Sequence, residues 1–190
     1  MRLWGWWRGA AARTNGGLGA WRRAWSNAVA RPDTASLEAL RSALHTEPPR
    51  ADDIEIEEEM LEGLDRLLAL TRDLENGRLP CLETAHRIVG ADACHFSAPV
   101  SMPDDPAQPT GRLLLTGTRA VFAGGARPTV LAWHATADVV QTDRDVLLVR
   151  GDGTALHRFR CNSYGDALTA AAIARHLAAR ARGPAESRTL

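Results

Sequence analysis

Cysteine and histidine are the side chains of this sequence with the most chemistry to offer. Four of them lie close together in the chain: Cys81, His86, Cys94 and His95. Thiolate sulfur and imidazole nitrogen are ligands for zinc. The spacing Cys-x4-His-x7-Cys-His matches no usual zinc pattern, and adjacent Cys94 and His95 are expected on opposite faces of a strand. We therefore predict no metal site here and expect Cys94 to be a small core residue.

Nucleophilic catalysis is the second chemistry that these residue types allow. Any of three Cys can be paired on paper with any of six His, and the spacing favours no pair. His134 and His157 are typical of ordinary sheet residues. The sequence contains no Gly-x-Ser-x-Gly, Walker loop, dinucleotide fingerprint or His-Glu-x-x-His. Because catalytic sites usually leave a cluster of acids, bases or nucleophiles, we predict a protein that is not an enzyme and has no cofactor.

Tryptophan and arginine are concentrated at the start of the chain. Residues 1–31 hold five of the six Trp and six Arg, but no acidic residue. Such residues serve as anchors at interfaces. We predict that this segment docks the chain onto a partner or a membrane through Trp4, Trp6, Trp7, Arg8, Trp21, Arg22, Arg23 and Trp25.

Three interpretations of residues 1–31 stay open. The segment packs against its own domain or a partner subunit, lies on an anionic membrane surface, or stacks on single-stranded nucleic acid. We favour the first, because the apolar faces are short and rich in Ala for a membrane anchor. Nucleic acid is the least favoured partner, since the net charge of the whole chain is zero.

Composition and targeting signals point to the cytoplasm. All 23 basic residues are Arg, which a G+C-rich genome explains. Three Cys are a small and odd number, which does not make a disulfide framework, so a reducing compartment fits best. No signal peptide is visible, and no stretch approaches the ~20 apolar residues that span a bilayer. The alternative location is the inner face of a membrane.

Helices are predicted for the first 78 residues. Trp21, Trp25 and Ala28 repeat at helical spacing, whereas Asn15-Gly16-Gly17 predicts a break, so residues 1–31 are expected to form two short amphipathic segments. Residues 32–78 are predicted to be a two-helix region. Its first helix has a stripe of Leu, and its second runs from about Asp52 to Glu75.

The second of these helices carries two distinct faces. One is a seam spaced to meet a facing helix, formed by Met60, Leu64, Leu67 and Leu74, for which packing on the protein's own body is favoured. The other is an acidic run over residues 52–62, which is typical of a solvated helix face. The alternative for that run is a dock for a basic partner or for the chain's own Arg-rich start.

From residue 79 the pattern changes to short strands and tight turns. Arg87-Ile88-Val89 predicts a short strand, residues 94–102 a longer one, and residues 103–109 a loop with three Pro. Further strands are predicted at residues 111–116, 119–123, 129–133, 138–141, 146–150 and 155–161. An Ala-rich helix follows over residues 164–182, so residues 79–182 form one domain and residues 183–190 a tail. The predicted class is α+β, with N-terminal helices and a β-sandwich or partly open barrel closed by the C-terminal helix.

The strand series resembles the pleckstrin-homology-like superfold, especially its GRAM-type and bacterial members. The resemblance rests on Gly111-Arg-Leu-Leu-Leu-Thr-Gly-Thr-Arg-Ala-Val-Phe-Ala-Gly-Gly125, followed by Trp133, and covers about residues 82–181. It implies a scaffold that binds phosphoinositides, peptides or proteins. Lipid-binding members carry basic residues around the loop between the first two strands. Here that loop holds Asp104 and Asp105, so anionic head groups would be repelled.

The sequence thus favours a non-catalytic adaptor or accessory subunit. The pleckstrin-homology-like domain would be its body, and the Trp/Arg-rich N-terminus would dock it onto a larger protein assembly. A peripheral membrane protein that uses the same segment on anionic lipid is the alternative, and an enzyme of unknown type is third.

Overall fold

The computed structural model describes residues 5–46, 54–84, 88–124 and 127–183, with side chains described from residue 18 onward. The chain divides into two compact units, Met1–Leu68 and Ala69–Leu190, called here the helical unit and the sheet unit. The helices are α1 (Gly5–Ala30), α2 (Thr34–Thr46), α3 (Glu55–Glu75) and α4 (Tyr164–Arg182). The unit boundary falls inside α3.

Helix α1 runs without interruption from Gly5 to Ala30. The break predicted at Asn15-Gly16-Gly17 is therefore wrong. A glycine in a helix interior costs only about 1 kcal/mol relative to alanine, and tertiary packing routinely outweighs such a cost. In this helix the packing comes from Trp21 and Trp25, which are buried one and two turns beyond the glycines.

The core of the helical unit is a set of apolar side chains at helical spacing on three helices. They are Trp21, Trp25 and Ala28 of α1, Leu37, Leu40 and Leu44 of α2, and Met60, Leu61, Leu64, Leu67 and Leu68 of α3. The Leu stripe predicted for the first helix of residues 32–78, which is α2, is thus confirmed. Residues 47–53, which include the predicted start of the next helix at Asp52, lie outside the described residues.

Helix α3 ends where the sequence predicts. Gly77 has a left-handed φ of 70°. Its amide donates to the carbonyl of Leu74 at 3.0 Å, and the amide of Arg78 donates to that of Asp73 at 2.8 Å. This pair of bonds satisfies two terminal carbonyls that the helix leaves open, and glycine adopts the required backbone angle without strain.

The sheet unit is built on one antiparallel sheet of seven strands. The strands are β1 (Cys94–Ser101), β2 (Thr110–Thr116), β3 (Arg119–Ala123), β4 (Thr129–Ala132), β5 (Asp138–Thr142), β6 (Asp145–Val149) and β7 (Ala155–Cys161). Their spatial order is β4-β3-β2-β1-β7-β6-β5. The sheet is not closed into a barrel, because β4 and β5 are its two edges. Three N-terminal helices, this sheet and a C-terminal helix confirm the α+β class.

One face of the sheet and helix α4 enclose the main core. The Phe159-bearing face of β7 is the inner one, while Arg158 and Arg160 lie on the other face. Trp133 is the largest side chain in this core and is fully buried. It begins a short 3-10 turn, Trp133–Ala135, rather than ending β4, and its indole N–H donates to the carbonyl oxygen of Thr116 at 2.8 Å.

Two features confine α4 to its place. The Ser163 hydroxyl caps its first turn by accepting from the amide of Asp166 at 3.0 Å. Near its other end, the guanidinium of Arg175 donates to the carbonyl of Val139, and that of Arg182 donates to the carbonyls of Thr136 and Ala137. These bonds occupy backbone acceptors at and just before the edge strand β5, which protects that edge from pairing with other chains.

The segment before β1 covers part of the outer face of the sheet. Val89 packs there against Cys94 of β1, Leu114 of β2 and Val121 of β3 in a small second core. The short strand predicted at Arg87-Ile88-Val89 is wrong for its described part, since residues 88–91 form a turn in which Gly90 has a φ of 64°. Arg87 lies outside the described residues. The apolar pair Ile88-Val89 belongs to a turn that packs on the sheet. Such a pair alone does not distinguish a packed turn from a short strand.

Candidate interaction surface

Two tryptophans fasten the C-terminal half of α1 inside the helical unit. Trp21 is 7% exposed and Trp25 is 5% exposed. The indole N–H of Trp21 donates to the carbonyl oxygen of Leu40 in α2 at 2.9 Å. That of Trp25 donates to the carbonyl oxygen of Met60 in α3 at 2.8 Å. Each ring therefore buries its apolar body and satisfies its one donor, which ties α1 to both neighbouring helices.

The predicted docking residues thus fall into different environments. Trp21 and Trp25 are interior side chains, whereas Arg22 and Arg23 are exposed on the same helix. Trp4 lies outside the described residues, and so do the side chains of Trp6, Trp7 and Arg8, whose backbone is part of α1. The structure therefore brings two predicted docking residues to the surface of the C-terminal half of α1, and both are arginines.

An ion pair joins α1 to the start of α3. The guanidinium of Arg22 contacts Oε1 of Glu57 through Nε at 2.7 Å and through Nη2 at 2.6 Å. The Glu57 side chain is 0% exposed, whereas that of Arg22 is 51% exposed. Oε2 of Glu57 is buried without a hydrogen-bond partner. The carboxylate is therefore strongly dependent on its single described cation, because a buried charge without a partner is costly.

The burial of Glu57 was not predicted from the sequence. Glu57 was one of several acids in the run over residues 52–62, which was expected to be a solvated face. The signal was present, because Glu57 precedes Met60, Leu64 and Leu67 by the same 3, 4, 3 spacing that defines the seam. An acid in register with an apolar stripe indicates a buried carboxylate, and the Arg-rich helix supplies its counter-charge.

The predicted helix-partner seam is buried within the chain. Met60, Leu64 and Leu67 belong to the core of the helical unit. Leu74 is partly buried and packs on the main core of the sheet unit. The exposed side of α3 instead carries Glu55, Glu58, Glu62 and Asp65, at spacings of 3, 4 and 3. Within the described residues, the surface of this half of α3 is therefore acidic.

The β1–β2 loop contains the two acids that the sequence placed there. Asp104 pairs with Arg158 of β7 at 2.7 Å, and the Asp105 carboxylate accepts from the amide of Ala107 at 2.8 Å. On the same outer side of β6 and β7, Asp145 accepts from Arg160 at 2.8 and 3.0 Å. Arg158 was not expected beside this loop, because the two segments are far apart in the sequence. Its charge is matched by Asp104, so this region does not present an uncompensated basic patch.

The buried thiols and the imidazole of His95 lie in environments that suit structural residues. Burial raises the pKa of the Cys161 thiol to about 12, and burial also raises the pKa of Cys94, so both stay protonated near neutral pH. Nδ1 of His95 lies 2.6 Å from the carbonyl oxygen of Pro80, which fixes that nitrogen as the donor. Among the described residues, no three His, Cys, Asp or Glu side chains are grouped to hold a metal ion. His86 lies outside them.

No described helix has the length and apolar character needed to cross a bilayer. No protein-family model matches the chain, and no curated protein matches it either. Among solved structures, the chain is similar to the C-terminal domain of an unknown protein from Leishmania infantum. That similarity covers 47% of this chain and 88% of the other, at 11% identity and a TM-score of 0.40. A likeness this distant assigns neither a fold family nor a function.

Proposed function

We propose that the chain is a non-catalytic adaptor or accessory subunit that docks onto a larger protein assembly through its basic, Trp-rich N-terminus. The observation that carries this proposal is the anchoring of α1. Trp21 and Trp25 donate to backbone carbonyls of two other helices, so the C-terminal half of α1 is held in the helical unit. The same continuous helix begins at Gly5, which makes its first turns an extension of an anchored element.

The proposal divides the aromatic residues by role. Trp21 and Trp25 hold the helix, and Trp4, Trp6 and Trp7 contact the partner, with Arg8 supplying positive charge. Anchoring one end of a helix lowers the entropy that a partner must remove when it orders the other end. Tryptophan and arginine are the residues that most often dominate interface energetics. Trp21 and Trp25, which the sequence placed among the docking residues, are therefore assigned to the core of the helical unit and not to the partner.

We further propose that the sheet unit is a pleckstrin-homology-like domain of the GRAM type, acting as the platform. The seven-stranded antiparallel sheet with one C-terminal helix is compatible with that fold. The charge pairing of Asp104 with Arg158 supports a platform rather than a phosphoinositide receptor, because an anionic head group would have to displace a carboxylate already in place. The thiols of Cys94 and Cys161 are buried and stay protonated, so neither is available as a nucleophile.

The test must spare the core of the helical unit. Removing all of residues 1–31 would delete Trp21 and Trp25 and expose the apolar sides of α2 and α3, so loss of binding would only report unfolding. Deleting residues 1–12 avoids this. The full chain, tagged at its C-terminus, is used to isolate its partner, and binding of the purified partner is then measured for the full chain, the deletion and an Arg127→Ala control on the sheet unit.

We expect at least about a tenfold loss of partner affinity for the deletion and no loss for Arg127→Ala. The circular dichroism of the deletion should retain the signal of α2 to α4. Equal affinity of the deletion and the full chain for the purified partner would contradict the proposal. Flotation of the full chain with anionic vesicles, lost in the deletion, would instead favour the membrane alternative.

A further inference from the structure

Two surfaces of opposite charge lie on neighbouring helices of the helical unit. The described side-chain part of α1 and its end, residues 18–31, holds three Arg and no acid. Residues 55–66 of α3 hold six acids and one Arg. Arg23 and Arg31 are exposed on the first surface, and Glu55, Glu58, Glu62 and Asp65 on the second. We call them the basic face and the acidic face.

The four acids of the acidic face have one ion pair among the described residues. It joins Glu62 to Arg66 at 3.8 Å between two exposed side chains, and such a pair contributes little. Behind this face, Glu57 uses Oε1 for Arg22, and its buried Oε2 has no hydrogen-bond partner. The described ion pairs therefore compensate the charge of the acidic face only in part.

The two faces adjoin each other, because α1 and α3 are joined by the Arg22–Glu57 pair and by the bond from Trp25 to Met60. This adjacency is what a two-fold dimer requires. When the basic face of one copy lies on the acidic face of another, the same rotation lays the second basic face on the first acidic face. A net charge of zero, with a pI near 7.0, removes the long-range repulsion that would keep copies apart.

We infer that a second copy of this chain is the partner of these faces, and that the helical unit forms a two-fold dimer with α1 of each copy against α3 of the other. The inference rests on the proposed adaptor function and names the first component of its assembly. It does not use Trp4, Trp6, Trp7 or Arg8, which remain available for a different protein. Because its contacts are charged and exposed, the association should weaken steeply with salt.

The test is a charge exchange between two purified full-length variants. In the first, Arg23→Glu and Arg31→Glu make the basic face acidic. In the second, Glu58→Arg and Glu62→Arg make the acidic face basic. Each variant alone would place like charges against each other twice, whereas a mixture of the two places opposite charges together at both contacts. Sedimentation velocity at low salt measures the association of wild type, of each variant and of the equimolar mixture.

We expect the wild type to dimerise, each variant alone to associate at least about tenfold more weakly, and the mixture to recover a one-to-one dimer. Arg127→Glu and Glu83→Arg, which reverse charges on the sheet unit, should leave dimerisation unchanged. A wild type that stays monomeric up to its solubility limit at low salt overturns the inference, and so does a mixture that fails to recover. The deletion of residues 1–12 keeps both faces, so either result is independent of the docking test.

Discussion

The helical unit and the sheet unit both bury tryptophans whose indole N–H groups donate to backbone carbonyls, but they are held together differently. In the sheet unit, Trp133 sits in a core already defined by a continuous strand ladder. In the helical unit, Trp21 and Trp25 are themselves links between helices, and a buried carboxylate is matched by one surface arginine. Helix packing without a ladder leaves few contacts to fix register, so each anchor matters more.

The largest expected effect on stability comes from replacing a buried tryptophan, and it should be confined to the unit that contains that tryptophan. Trp25→Ala removes a buried ring and its bond to Met60, at a cost of about 3–5 kcal/mol. We expect hydrogen exchange measured by mass spectrometry to show lost protection over residues 18–46 and retained protection over β1–β7. Trp133→Ala should show the reverse, with lost protection in the sheet unit and retained protection over residues 18–46. Equal loss of protection in both units for Trp25→Ala would contradict the contrast between them.

A middle-sized effect tests the charge in the helical core. Arg22→Ala leaves Glu57 buried with neither oxygen paired, and we expect a loss of about 2 kcal/mol, reduced from the fully buried case because Arg22 is half exposed. Glu57→Leu removes the charge instead and should change stability by less than about 1 kcal/mol in either direction. Urea unfolding followed by circular dichroism measures both. An equal loss of unfolding free energy for the two substitutions would show that the buried, unpaired carboxylate of Glu57 does not destabilise the helical unit.

The smallest effect concerns the close approach of β2 and β3. A Cβ at Gly111 would overlap the carbonyl oxygen of Ala123, so Gly111→Ala must displace backbone. We expect a loss of about 1–3 kcal/mol, typical of overpacking. Gly117→Ala is the matched control, because a Cβ there meets only His95 Nε2 at 3.7 Å. In thermal unfolding, Gly111→Ala should lower the melting temperature clearly more than Gly117→Ala does. Equal melting temperatures would show that the end of the strand accommodates the added Cβ without loss of stability.

The sheet unit follows from its sequence because its signals are local. Strands β3 and β7 and helix α4 have the predicted bounds, since tight turns such as Gly117-Thr118 and caps such as Ser163 and Gly183 are set by neighbouring residues. The helical unit was less predictable, because its decisive contacts join distant residues. Nothing near Gly16 reveals that Trp21 will hold the helix, and nothing near Glu57 reveals Arg22 as its partner.

The candidate surface was predicted in composition but not in geometry. The sequence identified the Trp/Arg concentration and the acidic run, and it left open that the acidic run would receive the chain's own Arg-rich start. The contact of Arg22 with Glu57 is one such contact. Which tryptophans are buried could not be deduced from helical spacing alone, because an amphipathic stripe packs equally well on its own domain or on a partner.

The most direct test of the proposed division of roles is the affinity of the purified partner for the Trp6→Ala/Trp7→Ala chain. We expect at least about a tenfold loss of affinity with unchanged hydrogen-exchange protection in α2 and α3, because these rings are assigned to the partner and not to the core. Unchanged affinity, or a loss accompanied by unfolding of the helical unit, would contradict this division of roles.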